Sequence, residues 1–147
     1  MENNFEKIFV KENFERMFDL VRYESPLTTL FYNKLNDEYY LFDWCSHTKT
    51  HNTWIVLQIE LNDLYKFVTK EISFLKLHHI SSNYGAICQI NSELEYKFEQ
   101  ILMSNLHNTY LPNDEYMFDK SDCPKYDELL EFLKQNSIYD KTLSNEI

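Results

Sequence analysis

The sequence is poor in glycine, with one glycine in 147 residues where average usage would supply about ten. Gly85 alone cannot supply the glycines of several common motifs: P-loops, dinucleotide-binding fingerprints, GxSxG elbows and EF-hand loops. The glycine content therefore excludes the nucleotide-binding, hydrolase and calcium-binding classes that these motifs define.

Arginine is almost as rare, since Arg16 and Arg22 are the only two in the chain. The 14 Lys and Arg side chains are outnumbered by 24 Asp and Glu, which gives a formal net charge of -10 and an isoelectric point near 4.9. Contact with phosphates requires clustered cations, so we expect neither direct nucleic-acid binding nor an anionic membrane surface. A negative exterior favours a protein partner with a basic surface.

The three cysteines, Cys45, Cys88 and Cys123, are an odd number without a CxxC pair, which is typical of reduced thiols in a cytoplasmic protein. The first twenty residues contain no continuous apolar segment of a signal peptide. No apolar run approaches the ~20 residues that span a bilayer. Three prolines and no linker-like stretch predict a single domain over residues 1–147.

Apolar residues are abundant instead, at 44% hydrophobic and 16% aromatic, which is ample for a packed core. Strands are predicted at 27–32, 38–45, 53–60 and 84–90. The strand at 38–45 is apolar at nearly every position, which places it near the middle of a sheet. Ile55, Leu57 and Ile59 share one face of the next strand, and Gly85 is expected in the turn that starts the last one.

Helical spacing marks three other segments, with helices predicted near 61–68, at 73–80 after Ser73, and at 124–135 after Pro124. Residues 5–24 favour a short helix or turn that runs into a strand, whereas 94–111 fit both a helix and a strand. Strands and helices without a strict βαβ alternation predict an α+β domain. We expect a mainly antiparallel sheet with two to four helices.

Three segments also carry a family resemblance: YESPLTTLF at 23–31, YYLFDWC at 39–45 and WIVLQI at 54–59. Together with residues 85–90 and 111–119, they resemble a family of small uncharacterised bacterial proteins, DUF6575. Ser25, Ser46 and Thr53 depart from the family pattern, in which Gly, Asp and Arg are usual. The resemblance implies a bacterial or phage origin and a shared fold, and it supplies no catalytic residue.

Cys45, His47 and His51 lie within seven residues and form the most reactive cluster of the sequence. A thiolate and two imidazoles can ligate zinc, but a fourth ligand is missing, and a small buried cysteine is the favoured interpretation. A nucleophilic Cys45 activated by His47 is the enzyme alternative, since residues two apart on a strand point the same way. We therefore expect no catalytic residue, no metal and no cofactor, with these two sets as alternatives.

His78 and His79 follow each other near the end of the helix predicted at 73–80. A cation interacts favourably with the negative end of a helix dipole. We expect this capping role for both histidines.

The acidic segment near the C-terminus is the predicted contact surface for a partner protein. Its candidate residues are Asp114, Glu115, Tyr116, Asp119 and Asp122, with Trp54 and Tyr110 as aromatic anchors. The leading function is a non-enzymatic, acidic protein-binding module of bacterial or phage origin. We place it in a conflict system, as an immunity protein or antitoxin, a phage-defence component or a phage anti-defence inhibitor, with self-association as a further arrangement. A small enzyme or ligand sensor with a site near Cys45, His47 and His51 is the alternative.

Overall fold

The sheet dominates the architecture of the protein, whose computed structural model describes residues 4–47, 50–81, 84–106, 111–112 and 116–136. Within these ranges, six antiparallel strands are hydrogen-bonded in chain order: β1 (Phe14–Tyr23), β2 (Ser25–Asn33), β3 (Glu38–His47), β4 (His51–Ile59), β5 (Tyr84–Asn91) and β6 (Tyr96–Leu102). The same ranges contain four α-helices: α1 (Phe5–Ile8), α2 (Leu61–Val68), α3 (Phe74–Ile80) and α4 (Tyr126–Asn136). The predicted α+β class with an antiparallel sheet is confirmed.

Polar side chains set the tight turn between β2 and β3. The side-chain oxygen of Asn33 accepts hydrogen bonds from the backbone N–H groups of Leu35, at 3.0 Å, and Asn36, at 3.3 Å. Asp37 adopts a φ of 62°, a left-handed conformation that Asp and Asn tolerate better than most residues. These residues fix the register of the hairpin, in which Phe31 lies opposite Tyr40.

The register of β3 and β4 divides the apolar residues between two faces. Leu41 pairs with Leu57 on one face, whereas Phe42 pairs with Val56 on the other. Because successive side chains of a strand point to opposite faces, this register assigns the residues from Tyr39 to Trp44, and those from Trp54 to Ile59, alternately to the two faces. The face that carries Leu41 is called the covered face below, and the face that carries Phe42 is called the open face.

Helices α2, α3 and α4 pack on the covered face. Their buried residues include Leu64 and Phe67 of α2, Leu77 of α3, and Leu129 of α4. The Ser73 hydroxyl accepts a hydrogen bond of 3.1 Å from the Lys76 N–H and so caps α3, as the sequence predicts. In the described part of the chain, none of the helices combines the length and the apolar character needed to cross a membrane.

Gly85 differs from its prediction, because it lies inside β5 and not in a turn. Its φ is not positive. A Cβ atom at this position would come within 2.6 Å of the Val56 carbonyl oxygen and 2.7 Å of the Met103 sulfur. Close packing of the backbone, and not turn geometry, therefore explains the only glycine of the chain.

Segment boundaries follow the sequence pattern closely. The C-terminal helix begins at Tyr126 and ends at Asn136, against a prediction of 124–135. Residues 5–24 contain a short helix followed by a strand, as predicted. Of the two patterns at 94–111, the strand is realised over Tyr96–Leu102.

Candidate ligand-binding groove

The open face of the sheet is lined with aromatic rings because alternate residues of β3 are aromatic and Phe31 of β2 lies beside them. Phe31 of β2 and Tyr40, Phe42 and Trp44 of β3 all point to this side. Phe31 and Phe42 are neighbours, with ring centroids 4.5 Å apart. The apolar character of both faces of β3, which predicted a central strand, thus also places a row of rings away from the helices.

The sheet is strongly curled about the open face. Neighbouring strands are about 4.8 Å apart, so a flat sheet would separate the first and sixth strands by about 24 Å. Phe14 of β1 and Phe98 of β6 are instead stacked, with ring centroids 5.7 Å apart. No hydrogen-bonded pairing joins these two edges in the described residues. The sheet is therefore an open half-barrel with the aromatic face inside.

The N-terminal segment closes one end of this half-barrel. Phe9, which follows α1, packs its ring 5.3 Å from the ring of Tyr40 and 5.7 Å from each ring of the Phe14–Phe98 stack. Phe5 of α1 stacks on Phe9 with centroids 4.4 Å apart. These side chains fill the interior on one side only, so the remaining length of the half-barrel is left unfilled.

The unfilled part is a solvent-accessible groove of about 760 Å³. Binding sites for small molecules commonly have volumes of about 300–1,000 Å³ and mostly apolar walls. The groove is lined by Lys11, Phe14, Arg16, Ser25, Leu27, Thr29, Phe31, Phe42, Trp44, Asn52, Trp54, Ile90, Tyr96 and Phe98. Its volume and its mostly apolar wall lie within the range that small-molecule sites have.

Polar groups of the groove are few, and several are already engaged. The Trp44 indole N–H donates to the Asn52 side-chain oxygen at 3.0 Å. The Trp54 indole nitrogen is buried without a hydrogen-bond partner among the described residues. Arg16 bonds both oxygens of Asp19 at 2.7 Å, and the Lys11 ammonium group lies 5.0 Å from the centre of the Tyr96 ring. The walls are thus aromatic, and the charges lie where β1 approaches β6.

The covered face contains a buried polar cluster of a different kind. Asp43 accepts a hydrogen bond of 2.9 Å from the Thr28 hydroxyl, and its other oxygen lies 3.9 Å from Nε2 of His78. His78 Nδ1 is 2.9 Å from the Phe74 carbonyl oxygen, and since a carbonyl only accepts, Nδ1 carries the proton. His78 Nε2 and the Tyr116 hydroxyl are buried without a hydrogen-bond partner among the described residues.

Burial controls the protonation of this cluster. It raises the pKa of Asp43 to about 7, although the Thr28 hydrogen bond acts in the opposite direction. It lowers the pKa of His78 to about 4. The expectation that His78 caps the helix as a cation is therefore wrong, because at neutral pH this ring is buried and uncharged. His79 is exposed at the end of α3.

The structure does not bring Cys45 into a reactive setting. Its thiol donates to the Thr53 carbonyl oxygen at 3.3 Å, and burial, more than the nearby Asp43 carboxyl, raises its pKa to about 11. A nucleophilic cysteine requires a lowered pKa. His51 is 3.1 Å from the Gln89 amide nitrogen and 3.0 Å from the Thr50 hydroxyl.

The metal alternative remains a prediction. Among the described side chains, no group of three His, Cys, Asp or Glu is arranged to hold a metal ion. The side chain of His47, at the end of β3, lies outside the described part.

Of the predicted partner-binding residues in the described ranges, Tyr116, Asp119 and Asp122 are neighbours, since burial and then the carboxylates of Asp122 and Asp119 raise the pKa of Tyr116, whereas Trp54 lies on the open face. Asp119 is exposed, accepts bonds from the Ser121 N–H and hydroxyl, and has a pKa lowered by them. Asp122 is half-buried, and Tyr116 packs 5.9 Å from the Phe74 ring on the covered face. Trp54 lies in the groove, far along the sequence from the others. Asp114, Glu115 and Tyr110 lie outside the described residues, so the acidic docking surface stays a prediction.

The sequence pattern pointed to Trp54 but not to the groove around it. The available signal was that residues two positions apart on a strand share a face, as in three pairs: Phe14 and Arg16, Thr29 and Phe31, and Tyr96 and Phe98. It shows which residues share a face, but the curl of the sheet decides that β1 and β6 meet.

Comparisons with protein-family models, with curated proteins and with solved structures found no match. The resemblance to the DUF6575 family therefore stays a prediction, and the groove has to be interpreted from its own geometry.

Proposed function

We propose that this protein is a non-enzymatic binding protein and that the aromatic groove of the half-barrel is its binding site. The observation that carries the proposal is the unfilled groove of about 760 Å³ in a sheet whose other face is covered by three helices. Aromatic walls bind planar apolar molecules through area burial and ring contacts. Leu27, Trp44, Trp54 and Ile90 retain partial exposure on this wall, so a ligand would bury apolar surface that folding leaves accessible.

Recognition is favoured over catalysis by the state of the candidate nucleophile. The Cys45 thiol is held protonated by burial and is engaged with the backbone, and it points to the covered face and not into the groove. The groove indicates the kind of molecule that is bound, and it carries no information about the biological role of the binding. The predicted role in a bacterial conflict system therefore remains a prediction.

The proposal is tested with N-phenyl-1-naphthylamine, an uncharged aromatic probe whose fluorescence rises in apolar sites. We expect saturable binding by the wild-type protein, measured by direct excitation of the probe. Two groove variants, Ile90→Lys and Leu27→Trp, should abolish it, because one places a charge on the wall and the other fills the space.

Ile80→Lys is the matched control, since Ile80 is 36% exposed on α3, outside the groove. Circular dichroism establishes that each variant is folded. Absence of saturable binding by the wild type, or equal binding by the groove variants and the control, would contradict the proposal.

A further inference from the structure

We propose that the ligand of the groove is a small aromatic molecule with one anionic group, and that Arg16 and Lys11 bind that group where β1 approaches β6. The inference rests on the proposed function, and it adds the chemical class of the ligand. Its basis is the distribution of charge on the groove wall, which is opposite in sign to that of the whole chain.

Positive charge is concentrated at the groove although the chain carries -10. Among the described residues, the charged side chains that line the groove are Lys11 and Arg16, and none is acidic. Arg22, the other arginine of the chain, bonds the same Asp19 carboxylate at 3.2 Å. Lys11 and Arg16 thus contribute +2 to the lining, and Arg22 shares with Arg16 the Asp19 carboxylate that offsets part of this charge. An anion is therefore attracted to this site by an otherwise acidic protein.

The bonding of Arg16 leaves part of its donor set for a ligand. One terminal nitrogen, Nη2, makes both 2.7 Å bonds to Asp19. A guanidinium has five N–H donors, of which that nitrogen carries two. Within the described part of the chain, the donors on Nη1 and Nε make no hydrogen bond, and two such donors match the two oxygens of a carboxylate, sulfonate or phosphate. The Arg16 side chain is 52% exposed, so these donors are accessible.

Lys11 and Arg16 converge on the same aromatic residue of the opposite edge. The Lys11 ammonium group lies 5.0 Å from the centre of the Tyr96 ring. The charge of Arg16 also acts on the Tyr96 hydroxyl, although burial has the larger effect on the pKa of that group and raises it. Two cations and a phenol thus surround one side of the groove, while Phe42, Trp44 and Trp54 form the wall that an aromatic body would contact.

A pair of probes with one aromatic body separates this inference from the proposed function. 8-Anilinonaphthalene-1-sulfonate has the phenylnaphthylamine body of the neutral probe and adds one sulfonate. We expect the wild type to bind the sulfonate about 3- to 10-fold more tightly than the neutral probe. Raising the ionic strength should weaken binding of the sulfonate only.

Two substitutions should shift the ratio of the two affinities in opposite directions. Arg16→Gln should lower it at least 3-fold, because the sulfonate loses its two-donor partner. Asp19→Asn should raise it about 2- to 5-fold, since the carboxylate that competes for both arginines is neutralised. The Thr29 hydroxyl, which donates to Asp19 at 2.8 Å, can still donate to the Asn oxygen.

Lys120→Gln is the matched control for Lys11→Gln. Lys120 also lies over a tyrosine ring, 5.8 Å from the centre of Tyr126, but outside the groove. Lys11→Gln should lower the affinity ratio and Lys120→Gln should not.

The outcomes distinguish the two proposals. Saturable binding of the neutral probe with no preference for the sulfonate would overturn the inference and leave the proposed function in place. Absence of binding by both probes would overturn both. An affinity ratio that Arg16→Gln and Asp19→Asn leave unchanged would also refute the anion site, and retained binding of the neutral probe shows that these variants are folded.

Discussion

Both faces of the sheet carry apolar side chains, but the two faces are packed differently. The covered face packs Leu20, Leu30, Leu41, Ile55 and Leu57 against three helices, and each of these side chains has no exposed surface. The open face holds mainly rings, and only its sealed end, where Phe9 contacts Tyr40, is filled. Close packing on one side and an unfilled groove on the other support the proposal that the covered face stabilises the fold and the open face binds a ligand.

The polar groups of the two faces support the same division. On the covered face Asp43, His78 and the Tyr116 hydroxyl are largely buried, and burial opposes charge on the first two by raising the pKa of Asp43 to about 7 and lowering the pKa of His78 to about 4. On the open face the cations Lys11 and Arg16 stay exposed at the rim. Buried polar groups can change the stability of the fold, whereas exposed cations can contact a ligand.

The largest expected effect compares two residues of β3 on opposite faces. Leu41→Ala should lower the free energy of unfolding by about 2–5 kcal/mol, because it leaves a cavity in the packed core. Trp44→Ala removes a larger side chain but should cost less than half as much, since Trp44 lines the groove. Urea denaturation measures both changes. Equal losses would show that the open face is a packed core as well.

A smaller effect concerns Gly85, where the covered side leaves no space for a Cβ atom. Gly85→Ala should lower the free energy of unfolding by about 1–3 kcal/mol, because the new Cβ would meet the Val56 carbonyl oxygen. The double variant Gly85→Ala with Met103→Ala distinguishes the two close contacts. It removes the flexible Met103 side chain and leaves the backbone contact, so it should not restore stability. Stabilisation by Gly85→Ala, as reduced unfolded-state entropy alone would produce, would contradict this packing.

The buried pair on the covered face predicts two pH dependences of opposite sign. Asp43 has a pKa of about 7 in the folded protein against 3.8 for the free group. Its contribution to the free energy of unfolding is therefore lost as pH rises from about 3.8 to 7. His78 has a folded pKa of about 4 against 6.5, so its contribution is lost as pH falls from 6.5 to about 4. Each slope approaches about 1.4 kcal/mol per pH unit, and in the wild type the two cancel between about pH 4 and 6.5.

Single substitutions should expose each slope, measured by denaturant unfolding at a series of pH values. Asp43→Asn leaves His78 alone, and stability should then fall as the solution is acidified from pH 6.5 to 4. His78→Asn keeps a donor toward Phe74 and leaves Asp43, and stability should then fall as pH rises over the same range. Parallel pH profiles for the two variants would show that the pair does not titrate as described.

The smallest effects come from two of the three buried polar atoms that lack a hydrogen-bond partner among the described residues, one chosen from each face. Trp54→Phe removes the unpaired indole N–H of the open face, and Tyr116→Phe removes the unpaired hydroxyl of the covered face. Both should change the free energy of unfolding by no more than about 1 kcal/mol, because the loss of packing is offset by the relief of an unsatisfied group. A loss above about 2 kcal/mol in either variant would reveal a hydrogen bond at that atom.

Much of the local structure could be predicted from residue patterns. The alternation in 53–60 predicted both the strand and the face of Ile55, and the Ser73 cap predicted the start of α3. The segment 94–111 could not be decided, because apolar residues there satisfy both periods and pairing with β5 selects the strand. Gly85 was misplaced for a similar reason, since a contact with β4 is invisible in its own neighbours.

The candidate sites show the same limit. Proximity in sequence singled out Cys45 and its neighbouring histidines, yet burial sets the chemistry of the Cys45 thiol. Phe14 and Phe98 are 84 positions apart and form a stack that no local pattern signals. The groove could therefore not be predicted from the sequence, because its lining residues come together only in the folded protein.

The sequence by itself determined the elements, the assignment of residues to two faces and the net charge, because each depends on local periodicity, turn chemistry or composition. Only the tertiary structure decided that the sheet curls, that one face is filled and the other left open, and that scarce cations meet at the groove. Curvature and filling depend on how distant side chains pack, and that information is distributed over the whole chain.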